Sequence, residues 1–169
     1  MVGGTPIAPL ILIGGSFDPL HAGHLWMDEK LAQHYPSARI EFLPTAGNPF
    51  KQTQTRPQQR LAMLKSALRE SAFGINRSEI FATAPTYTLD TLQKIRQQIG
   101  TQRPLIFVLG QDSLLSLPRW KGGLALLGLT HLWVFARPDH SSADVPEWAS
   151  AYLILKPELL QQQTHGLIY

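Results

Sequence analysis

An apolar run from Ile7 to Ile13 ends abruptly at Gly14-Gly15-Ser16-Phe17-Asp18-Pro19-Leu20-His21-Ala22-Gly23-His24 and gives way to Leu25-Trp26-Met27-Asp28-Glu29-Lys30-Leu31. The run reads as a buried strand of a parallel sheet, and the segment after the turn reads as a helix. A strand that hands over to a helix through a glycine turn is half of a βαβ unit, and such a unit commits the chain to an α/β architecture. It also places backbone N–H groups at a helix start, where a phosphate is favoured. Gly14 and Gly15 lack the Cβ atoms that would hold a phosphate off those N–H groups. His21 and His24 are three apart and share a face in the first helical turn. Two imidazoles there can donate to phosphoryl oxygens and offset charge that builds during phosphoryl-group chemistry.

The rest of the chain repeats this alternation. Strands are predicted at Leu10–Ile13, Arg39–Leu43, Glu79–Ala82, Leu105–Leu109 and His131–Phe135. Helices are predicted over 24–34, over 57–71 with Leu61, Leu64 and Leu68 on one stripe, and over 88–98 with Leu89, Leu92, Ile95 and Ile99 at helical spacing. Thr88 or Asp90 is placed to cap the last of these. The expectation is a single domain, residues 1–169, built on a Rossmann-like, doubly wound parallel sheet of about five or six strands. Ligands of such sheets bind at the carboxyl ends of the strands. Those ends are Gly14, Pro44-Thr45, Thr83, Gly110 and Arg137, and the chemically unusual residues follow them closely.

Composition narrows the partners. Hydrophobic residues make up 44% and charged residues 16% of the 169, which suits a packed core and argues against disorder. There is no cysteine, so disulfide and thiolate-metal chemistry are excluded, and a cytoplasmic location fits. The formal net charge of +3 is spread without any Lys/Arg run, so a nucleic-acid partner is not expected, while a small polyanion is. The segment before Gly15 has no basic start like that of a signal peptide, and Leu124–Ala136 is too short to span a bilayer, so no membrane partner is expected either.

A glycine turn, Phe-Asp-Pro and then His-x-Gly-His, in that order between Gly14 and His24, resemble the signature of the nucleotidyltransferase superfamily. Further matches narrow the resemblance to bacterial nicotinate-nucleotide adenylyltransferases. Leu43-Pro44-Thr45-Ala46-Gly47-Asn48-Pro49-Phe50-Lys51 is similar to their substrate loop, with Phe50 where histidine is usual. Thr86-Tyr87-Thr88-Leu89-Asp90-Thr91-Leu92 is similar to their Ser-Tyr-Thr-x-x-Thr-Leu segment. Gly110-Gln111-Asp112-Ser113-Leu114 with Trp120 matches Gly-x-Asp-Ser-Leu…Trp, and this element points away from phosphopantetheine adenylyltransferases, which share His-x-Gly-His. Arg137-Pro138 and the final His165-Gly166-Leu167-Ile168-Tyr169 have counterparts as well.

The resemblance implies transfer of the adenylyl group of ATP to nicotinate mononucleotide, with Mg2+ held mainly by the phosphates and no dedicated metal ligands. It implies His21 and His24 as catalytic residues. Gly14, Gly15, Ser16, Phe17, Lys51, Gly110, Asp112 and Arg137 would meet ATP and its phosphates. Thr45, Tyr87, Thr88 and Trp120 would meet the nicotinate nucleotide, with Trp120 stacking on the pyridine ring. A homo-oligomer is compatible with this. The match breaks after Pro138. The family's Ile-Ser-Ser-Thr-x-Ile-Arg segment, which opens a triphosphate-holding helix, has no counterpart here, and Ser141-Ser142-Ala143-Asp144 is given no role. That break keeps one different class of reading open, a non-catalytic nucleotide-binding module on the same fold.

Overall fold

The computed structural model describes residues 5–47, 55–83, 85–136 and 145–169. Five strands, β1 (Leu10–Gly15), β2 (Arg39–Pro44), β3 (Gly74–Ile75), β4 (Leu105–Gly110) and β5 (His131–Phe135), form one sheet in the order β3-β2-β1-β4-β5. Every pairing is parallel. The helices are α1 (Ala22–His34), α2 (Pro57–Ala67), α3 (Thr88–Ile99) and the short α4 (Gln111–Ser116).

β1 shows why the sheet needs helices on both faces. Its side chains alternate, and all four of its apolar residues are buried. Leu10 and Leu12 enter a cluster with Leu92 and Ile95 of α3, while Ile11 and Ile13 enter a second one with Leu31 of α1 and Leu64 of α2. A central parallel strand therefore reads as a continuous apolar run, because neither face meets water.

The strand order reverses between β1 and β4, and a doubly wound sheet opens a crevice at such a point. Register keeps the carboxyl ends level there. Gly14 pairs with Leu43, Gly15 with Pro44 and Ile13 with Val108. At the outer edge, backbone N–H groups of Leu132 and Val134 donate to the carbonyls of Leu167 and Tyr169. Residues 167–169 thus run beside β5, joined to it by an isolated parallel bridge between Leu132 and Ile168.

Three expectations are corrected. The third strand lies at Gly74–Ile75 rather than Glu79–Ala82. Residues 79–82 form a turn closed by Ala82 N–H to the Glu79 carbonyl at 2.8 Å, with Ile80 buried and Phe81 exposed, so Thr83 is not a strand end. Two ladder residues on an outer strand carry no periodicity to read. The 57–71 helix ends at Ala67, and Leu68 is its C-cap while still buried. Neither Thr88 nor Asp90 caps α3. Its N-cap is Tyr87, with no side-chain capping bond, and Asp90 is drawn away to Lys121.

Candidate active site

The turn after β1 is built by rings. A Cβ at Gly14 would stand 2.6 Å from the Phe107 ring, and one at Gly15 would stand 3.1 Å from the Phe17 ring. Both glycines therefore answer to aromatic packing beneath the turn, a reason distinct from phosphate access. Phe17 has φ +49°, a left-handed conformation that costs an ordinary residue about 1 kcal/mol. Burial of its ring, edge-on to Phe42 and to His24 at about 5 Å from each, offsets that strain.

The His-x-Gly-His spacing is a capping device. His21 is the N-cap of α1, and its Nδ1 accepts from Gly23 N–H at 3.1 Å. His24, three residues on, returns the favour, its Nδ1 accepting from His21 N–H at 3.3 Å. This is a capping box made by two imidazoles, which stack with centroids 3.8 Å apart and planes 26° from parallel. Glycine suits the position between them, because a Cβ at 23 would lie 3.0 Å from the His21 ring and press on it. An Nδ1 that accepts carries no proton, so each ring holds its proton on Nε2 and has that N–H left to donate. Burial, and then the neighbouring His21, lower the His24 pKa to about 4. The His24 ring is therefore a neutral donor at physiological pH.

The second loop is tied to the first by a residue that sequence reasoning missed. Arg60 of α2 is 1% exposed, and its guanidinium donates to the carbonyls of Ser16 (2.7 Å), Thr45 (2.8 Å), Thr55 (3.2 Å) and Ala46 (3.3 Å). Burial lowers its pKa and nearby Asp18 opposes that shift. The signal was present, since Arg60 stands one turn before Leu64 on the buried stripe. The carbonyls it gathers come from loops too distant to read.

Thr45 connects onward. Its hydroxyl meets the Thr86 hydroxyl at 3.0 Å, and Thr86 also donates to Glu79 at 3.2 Å. Thr86 leads directly into Tyr87 and Thr88 at the start of α3. On the β4 side, Gly110 is the N-cap of α4 with open space where a Cβ would stand, and Asp112 lies exposed in the first turn. Trp120 is half-buried against the core, and its indole N–H donates to Ser116 Oγ at 3.1 Å.

The structure thus joins His21, His24 and Phe17 by ring contacts, and Ser16, Thr45 and the start of α3 through Arg60 and Thr86. Gly110 and Asp112 stand at the neighbouring strand end. Lys51 and Arg137 lie outside the described residues. Among the described residues no group of three His, Asp or Glu side chains could hold a metal, and no helix is long and apolar enough to cross a membrane.

A family model described as Cytidylyltransferase-like matches residues 12–164. A probable nicotinate-nucleotide adenylyltransferase of Yersinia pestis (strain Pestoides F) is 40% identical over 164 residues, spanning 94% of this chain and 74% of the relative. The Serratia proteamaculans (strain 568) protein of the same name is 39% identical over the same shares. The chain belongs to the nicotinate-nucleotide adenylyltransferase family. Among solved structures, Plasmodium falciparum nicotinic acid mononucleotide adenylyltransferase complexed with NaAD superposes with TM-score 0.68 at 18% identity, covering 96% of this chain and 73% of that one. A putative nicotinate-nucleotide adenylyltransferase from Vibrio parahaemolyticus gives 0.58 at 17% identity, covering 80% and 81%. At such identities these two likenesses speak for the fold.

For a member of this adenylyltransferase family, one buried group has no assigned task. Asp28 of α1 is 0% exposed and neither of its carboxylate oxygens has a hydrogen-bond partner. Burial, with Glu29 adding repulsion and the proximity of its own backbone N–H opposing, raises its pKa to about 7. The sequence offered a sign of this. His24, Asp28, Leu31 and Tyr35 follow helical spacing, so Asp28 falls on the face that α1 turns toward the sheet.

Proposed function

We propose that this chain transfers the adenylyl group of ATP to nicotinate mononucleotide, giving deamido-NAD and pyrophosphate, a step of NAD biosynthesis. A phosphate oxygen of the mononucleotide attacks the α-phosphorus of ATP in line. One P–O bond forms to that oxygen, the bond from the α-phosphorus to the bridging oxygen breaks, and pyrophosphate leaves with the electron pair. No covalent enzyme intermediate is needed, so the protein's task is to position and to stabilise charge.

The observation that carries this reading is the stacked, reciprocally capping His21–His24 pair at the carboxyl end of β1. Each ring has its Nε2–H committed to nothing in the cap. Two such donors beside a helix N-terminus suit the non-bridging oxygens where negative charge builds in the transition state. A neutral His24 serves here as a donor whose capping bond survives the reaction. Protonating Nδ1 would break that bond.

Gly14, Gly15, Ser16 and Phe17 shape the turn that receives the phosphates, with Gly110 and Asp112 across the crevice and Lys51 and Arg137 as further phosphate contacts. Thr45, Tyr87, Thr88 and Trp120 hold the nicotinate nucleotide. The groups at the turn donate to anions and form no oxygen cage for a cation. Mg2+ would be carried mainly by the phosphates of ATP and by water, and would neutralise phosphate charge when bound.

The test is pyrophosphate release from ATP and Mg2+ with nicotinate mononucleotide, nicotinamide mononucleotide or phosphopantetheine as acceptor. Release with the mononucleotides, led by nicotinate, is expected. Release with phosphopantetheine alone would reassign the substrate. Nucleotide binding without release from any acceptor would leave a binding module.

A further inference from the structure

Glu79 is a buried carboxylate, 6% exposed, that the reaction above leaves without a role. Among the described residues no cation pairs with it, and its side chain accepts a hydrogen bond from one group, the Thr86 hydroxyl at 3.2 Å. Holding a carboxylate in the interior with so little compensation costs free energy. What stands beyond Thr86 gives that carboxylate a task. The Thr86 hydroxyl lies 3.0 Å from the hydroxyl of Thr45, just past the carboxyl end of β2.

Counting protons sets the direction of this chain. A carboxylate accepts and does not donate, and a hydroxyl has one proton to give. The Thr86 proton goes to Glu79, whose oxygen is nearer and a stronger acceptor than the Gly47 carbonyl at 3.5 Å. With that proton spent, Thr86 meets Thr45 only as an acceptor, so Thr45 donates to it. The Thr45 hydroxyl then has lone pairs alone to offer whatever enters the crevice. Its backbone is pinned on both sides. The Thr45 N–H donates to the Gly15 carbonyl at 3.0 Å, and the Thr45 carbonyl accepts from Arg60 at 2.8 Å.

Resting on the adenylyltransferase reading above, we propose that Glu79 is a positioning residue that, through Thr86, presents the Thr45 hydroxyl as an acceptor to a ribose hydroxyl of the mononucleotide. The chemistry of that substrate selects the group. Its carboxylate accepts, its phosphate oxygens mostly accept at neutral pH, and its pyridinium nitrogen carries no proton. The ribose hydroxyls are its remaining donors. Glu79 acts without touching the substrate, by fixing which way two hydroxyls point.

The experiment is steady-state kinetics of the full chain with ATP, Mg2+ and either nicotinate mononucleotide or its analogue without the two ribose hydroxyls. Glu79→Gln keeps the size but can donate to Thr86 through its amide, which frees the direction of the chain. It is expected to raise KM for nicotinate mononucleotide about fivefold with kcat within about twofold of wild type. Thr86→Val should do the same, while Thr86→Ser, which keeps the hydroxyl, should stay close to wild type. With the analogue, Glu79→Gln and wild type should have KM values within about twofold of each other. An unchanged KM in Glu79→Gln, a fall confined to kcat, a Thr86→Ser as impaired as Thr86→Val, or an equal loss with the analogue overturns the inference and leaves the adenylyltransferase reading intact. A wild-type chain that releases no pyrophosphate with nicotinate mononucleotide overturns that reading and this inference with it.

Discussion

The two long helices that begin beside the crevice, α1 and α3, start in opposite ways. At α1 the first N–H groups are met by imidazoles that cap each other within four residues, so their ring orientation is fixed by local spacing. At α3 no side chain caps the start, and order comes from distant partners, Lys121 at a separation of 31 residues and Thr45, through Thr86, at 41. Arg60 joins the two, donating to Ser16 on one side and Thr45 on the other. The lesson is a division of labour. The end that, on the proposed function, would meet the reacting phosphates is ordered locally. The end that, on the same proposal, would meet the pyridine nucleotide is assembled from long-range contacts.

Arg60→Met should break this arrangement most severely. Its loss leaves a cavity at a buried helix position and part-buried carbonyls from three segments without their donor, and urea unfolding should show about 3 kcal/mol of lost stability. If most of that stability remains, the two ends are not joined through this guanidinium. Next in size, His24→Ala removes a phosphoryl donor together with the reciprocal cap, and kcat should fall about 10²- to 10³-fold with KM for the mononucleotide little changed. Near-normal turnover would show that the imidazole is only a cap.

Asp28 tests the body of α1 through pH. Its folded pKa, raised to about 7 from 3.8, means that its proton favours the folded state. That contribution is complete below the unfolded value and is lost as pH climbs through about 7. Asp28→Asn cannot ionise, so its stability relative to wild type should improve between pH 5 and pH 8 by about 3 kcal/mol. A pH-independent difference in Tm would show that Asp28 ionises normally. The smallest effect belongs to Gly23→Ala, whose new Cβ would press on the His21 ring and should lower stability by about 1 kcal/mol and kcat a few-fold. An indifferent Gly23→Ala would mean that the capping box tolerates a displaced ring.

The same contrast explains what could be read in the sequence. β1, β2, β4 and β5 were legible because each is an apolar run closed by glycine, proline or a polar residue, and their order gave the parallel sheet. The histidine motif was legible because its geometry is contained in four residues. β3 was not, being two residues long, and the apolar Ile80-Phe81 drew the assignment to a turn. Arg60 and Asp28 both sit at buried positions of helical stripes, so their burial could have been read, but not their surroundings. Gly14 was read as making room for phosphate, whereas the ring nearest to it belongs to Phe107, 93 residues along the chain. Asp90 was read as a possible cap of α3, whereas its carboxylate pairs with Lys121, 31 residues along the chain.

The central claim is that the phosphate-facing imidazoles are held by the backbone as Nε2–H donors, with His24 kept neutral. Nitrogen-15 NMR of the histidine rings, followed from pH 8 down to pH 4.5, tests it directly. The account predicts Nε2–H tautomers for both His21 and His24 at neutral pH, and a His24 ring that stays neutral until the pH nears 4. A proton on Nδ1 of either ring at neutral pH, or a His24 that titrates near 6.5, would contradict it.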